Sequence, residues 1–316
     1  MITLKYFLQA IVMICLSQSN HVFAQQQSSF TNYMYNVQTY NPAYVGSRQA
    51  ISVFGLYRLQ WVGYDGAPKT QTISISAPIA KEYLGIGLSV QNDKIGPMNS
   101  TGAYADIAYH LPISEKSKLS FGAKVGVNLL STSLSTVKLD DPNDVSFNSN
   151  MQNKTIPNVG FGMYYYSSKF YAGISTPQIL IKTVSGEYQG QNVNLYQQKT
   201  HYYVIAGTVI NLTEALDFKP TMLTKVVAGA PVQVDLTSTL IYKQLLYGGV
   251  MVRTGESIGG LVGFTFSNTL VFGYSYDWTI LNKTNSYHYG SHELILRYDF
   301  ALKKNRNKKN LFLGYF

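Results

Sequence analysis

The sequence predicts an all-β fold: a transmembrane antiparallel β-barrel of about 14 strands, both termini periplasmic. Three observations predict it. Long stretches alternate strictly between apolar and small or polar residues, as in Leu119 to Leu129, where Leu119, Phe121, Ala123, Val125, Val127 and Leu129 alternate with Ser120, Gly122, Lys124, Gly126 and Asn128. A period of two means a strand with one greasy and one wet face. Second, the chain is 46% hydrophobic but only 13% charged, well under the roughly 25% charged usual for soluble domains. Third, no stretch after Ala24 approaches the roughly 18 apolar residues of a membrane helix. A secreted β-sandwich is the rival, but its outward face would carry charge rather than Val, Leu and Phe. The 26 tyrosines fit the aromatic girdles of such barrels.

The chain starts with a secretory signal, residues 1–24. Lys5 precedes an apolar core from Tyr6 to Leu16, and Val22-Phe23-Ala24 offers a small-residue cleavage site before Gln25. Cys15 is the only cysteine, so a chain cut after Ala24 has neither disulfides nor thiolate metal sites. Residues 25–48 form an irregular lead-in, either a periplasmic arm or a segment tucked into the lumen. The barrel occupies 49–300, and a basic periplasmic tail occupies 301–316. Lys303, Lys304, Arg306, Lys308 and Lys309 give that tail five positive charges; removing them and Lys5 from the net +9 leaves +3 for the body. A nearly neutral body excludes a nucleic-acid footprint.

The strands follow in order. Ile51 to Trp61 is imperfect and ends at an aromatic, and Gly63 to Pro68 is a turn. Thr72 to Ile79 sets Ile73, Ile75, Ala77 and Ile79 on one face, and Leu84 to Val90 turns Gly85, Gly87 and Ser89 inward. Ala103 to Leu111 and Leu119 to Leu129 come before a polar loop at about Ser131 to Thr155. Val159 to Tyr165 and Phe170 to Ile174 lead to a second loop, Pro177 to Lys199. Then come Tyr202 to Leu212, Leu216 to Val226, Val232 to Leu240, Leu245 to Val252, Ile258 to Phe266 and Leu270 to Trp278. After a loop from Leu281 to Gly290, Glu293 to Phe300 closes the set, with Leu294, Leu296, Tyr298 and Phe300 outward. The long loops are connections five, seven and thirteen, all on one side, as short periplasmic turns and long outer loops require. Pro78, Pro112, Pro157, Pro177 and Pro231 read as strand ends or turns, so that no proline breaks a ladder.

Several ordered motifs resemble one family: Asn41-Pro42-Ala43-Tyr44-Val45-Gly46, Gln60-Trp61-Val62-Gly63 with Gly66-Ala67-Pro68, Asn92-Asp93-Lys94-Ile95-Gly96, Tyr171-Ala172-Gly173-Ile174-Ser175, His201-Tyr202, Gly273-Tyr274-Ser275-Tyr276-Asp277 and Gly290-Ser291-His292-Glu293. The set, spread over nearly the whole mature chain, is similar to the PorP/SprF outer-membrane proteins of the type IX secretion system. The resemblance implies an outer-membrane location in a Gram-negative bacterium and an accessory role in exporting or anchoring a large surface protein, in some species a gliding adhesin. The implied partners are that cargo, through its C-terminal signal domain at the outer loops, periplasmic components of the machine, and outer-membrane lipid. It implies no enzyme activity and no cofactor.

Candidate sites follow from parity and spacing. Asp106, Lys124, Asp235, Arg253, Asp277, Arg297 and Asp299 point into the lumen; the plainer account is a mutual ion-pair network stiffening the barrel, the functional one a polar path or a dock for a segment. His288 and His292 straddle a loop and a strand start, which defeats a shared zinc. Asp140, Asp141, Asn143 and Asp144 offer oxygen ligands for Ca²⁺ but lack the full spacing of a calcium loop; the plainer account is a solvated loop of turn-forming residues. The basic tail (Lys303, Lys304, Arg306, Lys308, Lys309) is either a contact for anionic lipid or a periplasmic partner, or a frayed end. No Gly-x-Ser-x-Gly elbow or phosphate-binding glycine loop occurs, which disfavours a barrel enzyme. A diffusion channel through the polar lumen is the alternative function.

Overall fold

The computed structural model describes residues 27–48, 50–80, 83–133, 151–188, 191–266, 269–280 and 287–301. The strands are β1 (Ala50–Leu59), β2 (Lys69–Ile79), β3 (Leu84–Ile95), β4 (Met98–Ser114), β5 (Ser117–Thr132), β6 (Met151–Ser167), β7 (Phe170–Thr176), β8 (Lys182–Tyr188), β9 (Gln191–Gln198), β10 (His201–Thr208), β11 (Ile210–Asn211), β12 (Leu216–Val227), β13 (Gln233–Tyr242), β14 (Leu246–Arg253), β15 (Ser257–Phe266), β16 (Leu270–Thr279) and β17 (Ser291–Ala301). Each barrel strand pairs antiparallel with its sequence neighbours. The ring closes where β1 meets β17, with Ala50 opposite Ala301, and where β10 meets β12 across the β8–β9 excursion. β11 is a two-residue continuation of β10, so fourteen strands make the wall. Lipid offers no partner to a free N–H or C=O, and only closure satisfies every strand. Among the described residues no helix is long and apolar enough to cross a membrane.

The period of two sorts the side chains as lipid and lumen demand. On β5, Val125 is 57% exposed while Ser120 is fully enclosed; on β2, Ile73 is 67% exposed while Thr72 is buried. The long connections β5 to β6, β7 to β10 and β16 to β17 share one mouth; the short turns β2–β3, β4–β5, β6–β7, β13–β14 and β15–β16 share the other.

Three local readings change. The loop from Pro177 to Lys199 contains a hairpin, β8 against β9; its apolar residues are too sparse to face lipid, so it lacks the alternation that marks a wall strand. Among the described residues four prolines fall within strands: Pro78 and Pro112 stand one and two residues from the ends of β2 and β4, and two lie deeper. Pro157 stands on β6 beyond the stretch Phe161–Tyr166 that pairs with β7, where a missing N–H breaks no ladder on that side. Pro220 on β12 faces the break between β10 and β11, where Val209 turns its N–H to the Lys169 carbonyl instead. Many tyrosines, finally, are not girdle residues: Tyr164, Tyr166, Tyr171, Tyr203 and Tyr247 are buried inside the barrel.

What they pack against is the lead-in. Residues 27–48 run through the lumen as a 3-10 turn (Tyr33–Tyr35), one helical turn α1 (Val37–Tyr40) and a second 3-10 turn (Pro42–Tyr44). Phe30, Tyr33, Met34, Val37, Tyr40, Ala43 and Tyr44 form one apolar cluster with the inward tyrosines, Met251 and Leu261. The hydrophobic core is therefore inside the barrel. Gln27 and Ala301, the ends of the described chain, stand at opposite mouths, because the lead-in crosses the lumen before β1 begins; the termini themselves, which the sequence reading places in the periplasm, lie outside the described residues.

Candidate functional site

The lumenal charges and the lead-in make a single site. Asp106 and Lys124 are opposite each other on β4 and β5, 3.5 Å apart. Asp235 and Arg253 are opposite on β13 and β14, 2.9 Å apart. Arg297 and Asp299, two apart on β17, meet at 3.4 Å. Asp277 has its partner on β1, where Arg58 Nη2 lies 2.7 Å away. The seven residues thus fall into separate groups around the wall rather than one mutual network.

The lead-in connects those groups. Thr31 Oγ1 donates to Asp277 at 2.6 Å, and the Thr31 and Asn32 amides donate to Glu293 at 3.1 and 2.8 Å. Arg58 Nη1 bonds Glu293 at 3.1 Å, and Arg253 Nη2 donates to the Phe30 carbonyl at 3.3 Å. Further along, Gln38 Nε2 donates to Asp106 at 3.0 Å while Lys124 Nζ donates to the Gln38 carbonyl at 3.2 Å. Arg48, the last described lead-in residue, pairs with Asp299 at 2.7 Å. Lys219 and Arg297 both lie over the Tyr35 ring, at 5.1 and 5.5 Å. A buried ion pair gains little unless further hydrogen bonds satisfy its remaining atoms. The lead-in supplies those bonds, so wall and lead-in stabilise each other.

The Asn41-Pro42-Ala43-Tyr44-Val45-Gly46 motif is the part seated most closely. Asn41 Oδ1 caps the following turn by accepting from Ala43 N at 2.9 Å, and its Nδ2 donates to the Met163 carbonyl at 3.0 Å. His110 Nε2 lies 3.0 Å from the Val45 carbonyl, which makes that nitrogen the donor and leaves Nδ1 to the Ser120 and Tyr166 hydroxyls. Inward glycines let the motif reach the wall. A Cβ on Gly85 would stand 2.0 Å from Val45 O, and one on Gly122 would stand 2.2 Å from Ala43 N. No other residue fits that approach.

At the long-loop mouth a cavity of ≈ 490 Å³ opens above the lead-in, lined among others by Ser28, Trp61, His201, Lys225, Val232 and Glu256. His288 beside it stacks on Trp61 with centroids 6.0 Å apart and accepts from Gly290 N through Nδ1. His292 instead meets the Tyr274 hydroxyl at 2.7 Å. Residues 140–144 and the tail residues Lys303, Lys304, Arg306, Lys308 and Lys309 lie outside the described residues.

Sequence reasoning missed Arg48, Arg58, Glu293 and Lys219. Parity marks three of them: Glu293 precedes the outward Leu294, Arg58 follows the outward-facing Tyr57, and Lys219 shares the inward parity of Asp217 and Thr221. Arg48 sits in a stretch with no period and has no such signal.

Two sets of known proteins resemble the chain. Solved outer-membrane structures are alike in outline: the Ralstonia pickettii toluene transporter TbuX (11% identity, 82% of this chain and 92% of that one, TM-score 0.46), the Acinetobacter baumannii outer membrane protein Omp33 (10%, 80% and 98%, 0.44) and the CymD monoaromatic hydrocarbon channel (9%, 82% and 90%, 0.47). At these values the likeness carries nothing about function. No curated protein matches. The family described as type IX secretion system membrane protein PorP/SprF matches residues 22–298. A closed barrel with a lipid-facing apolar belt, covered by that match over most of its length, is an outer-membrane protein, and the chain belongs to the PorP/SprF family of the type IX secretion system.

Proposed function

We propose that this barrel is a closed accessory component of the type IX system. It binds a large surface protein, an adhesin, at its outer loops, helps to export or hold it, and contacts periplasmic components of the machine on the other side. It catalyses nothing and needs no cofactor. The observation that supports this reading is the filled lumen: residues 27–48 occupy it, with buried aromatics and ion pairs on both flanks. On this reading the filled lumen passes neither a polypeptide nor a stream of small solutes. The barrel then acts through its two mouths, and the ≈ 490 Å³ vestibule at the long-loop mouth is a concave surface on that side.

Two measurements test it. The purified barrel in a planar bilayer gives no steady conductance; an open, long-lived pore overturns the closed reading in favour of a diffusion channel. Deleting the gene removes a large type IX cargo from the cell surface; unchanged surface display of every such cargo overturns the accessory role.

A further inference from the structure

The lead-in has a direction, and the direction has a consequence for the cell surface. At one end, Gln27 bonds Gln178, which follows β7, and accepts from the Tyr203 hydroxyl at 2.7 Å. Ser28 donates to Asp93 Oδ2 at 2.9 Å and accepts from Thr70 at 3.2 Å, and Lys225 Nζ donates to Ser29 at 3.2 Å. Every one of these wall residues stands at the mouth of the long connections: near the start of β2 and β10, the ends of β3 and β12, and just past the end of β7. At the other end, Gly46 packs against Gly85 near the start of β3, and Arg48 pairs with Asp299, two residues before Ala301. That is the mouth of the short turns. Between the two ends Thr31 and Asn32 meet Asp277, Ser275 and Glu293, the chain folds back so that the Tyr40 hydroxyl accepts from Phe30 N at 3.3 Å, and Gln38 meets Asp106 and Asn41 meets β6.

Short turns face the periplasm in barrels of this kind, and long loops face outward. We propose that the chain enters its own lumen from the cell exterior, so that Gln27, Ser28 and Ser29 are displayed at the outer mouth. There they form one wall of the vestibule that Trp61, Lys225 and Glu256 complete. The opposite end of the lead-in, at Arg48, faces the periplasm and is joined directly to β1, whose pairing with β17 closes the ring. The segment thereby ties the outer mouth to the seam of the barrel at the inner one, and a partner that grips the outer end pulls on Arg48 and Asp299. The proposal concerns the path of the chain and does not depend on the identity of any cargo.

The sole cysteine, Cys15, lies in the expected signal, so single-cysteine variants report position directly. Gln27→Cys, Asp65→Cys in the β1–β2 connection and Glu214→Cys in the turn before β12 are treated, in intact cells, with a membrane-impermeant maleimide. In parallel, an epitope inserted between Gln26 and Gln27 is probed with antibody on intact cells. Asp65→Cys and the epitope are expected to report from outside, Gln27→Cys with them, and Glu214→Cys only after the outer membrane is opened. Gln27→Cys and the epitope behaving like Glu214→Cys overturns the proposal. If Gln27→Cys is shielded from reagent in both states, the epitope decides: antibody on intact cells supports the outer exit, and signal only in opened cells refutes it. Neither readout involves secretion, so failure here is distinct from failure of the accessory role.

Discussion

Replacing Arg58 with methionine tests whether lumen and lead-in are one energetic unit. Arg58 is 2% exposed. Its guanidinium holds Asp277 at 2.7 Å and Glu293 at 3.1 Å, and donates to Thr31 Oγ1 at 3.2 Å. Arg58→Met fills much of the same volume but leaves two carboxylates buried without their cation. Breaking a buried pair from one side costs about 3–5 kcal/mol, a large part of a typical folding stability of about 5–15 kcal/mol. The same two carboxylates hold the Thr31 hydroxyl and the Thr31 and Asn32 amides, so the loss also loosens the lead-in where it enters. The purified barrel, unfolded by urea in detergent and followed by the mobility difference between folded and unfolded bands, reads the cost. Arg58→Met is expected to unfold at markedly lower urea. Adding Asp277→Asn and Glu293→Gln removes the stranded charge while leaving oxygens to accept from Thr31 and Asn32, and recovers most of the stability, as neutral replacement of a buried ion pair often does. An Arg58→Met protein within about 1 kcal/mol of wild type would refute the reasoning, because it would mean that water already reaches both carboxylates.

Three further perturbations address other parts of the site. Gly122→Leu drives a side chain into Ala43, whose nitrogen would stand 2.2 Å from the new Cβ; the displaced lead-in is expected to give bilayer conductance where wild type gives none, and a silent Gly122→Leu barrel contradicts the seating described. Asn41→Ala removes both the cap on Ala43 N and the bond to the Met163 carbonyl; caps and buried bonds of this kind contribute about 1–2 kcal/mol, so urea unfolding shifts in that range and no shift refutes the role. Burial holds the His288 imidazole below its ordinary value, so the neutral ring, which accepts from Gly290 N, is favoured by the fold. Its contribution is present above the unfolded value of about 6.5 and is lost as pH falls through the lower folded value. In a Trp278→Phe background, Trp61 emission should therefore hold steady through the unfolded value of about 6.5 and change with a midpoint below it. A midpoint at or above about 6.5, or the same change in His288→Gln, refutes the assignment.

The wall was legible in the sequence for a physical reason: lipid tests every second residue. An outward position that is not apolar is costly, so Phe121, Val125, Val127 and Leu129 announce β5 without help from any other strand. The lead-in meets no such uniform solvent. Its short turns follow no period, and its partners are Asp277 or Glu293, more than 240 positions away. Composition misled on the tyrosines because the same ring suits a membrane interface and an apolar lumen; only the parity of Tyr164 and Tyr166, shared with the inward Asn158 and Gly162, separates the two. The clue that the sequence did carry lay in the inward glycines. Gly85, Gly122, Gly162 and Gly173 read as the small residues of a wet face, yet a water-filled lumen gains nothing from removing side chains at the wall. Glycine in a strand interior weakens the strand and marks a close approach of another group. In this barrel each has Asn41–Gly46 against it. An inward glycine therefore marks a close approach, by the lead-in at these four and by wall tyrosines at Gly207 and Gly263, and a run of them along one side of the wall is the sequence trace of the seated Asn41–Gly46.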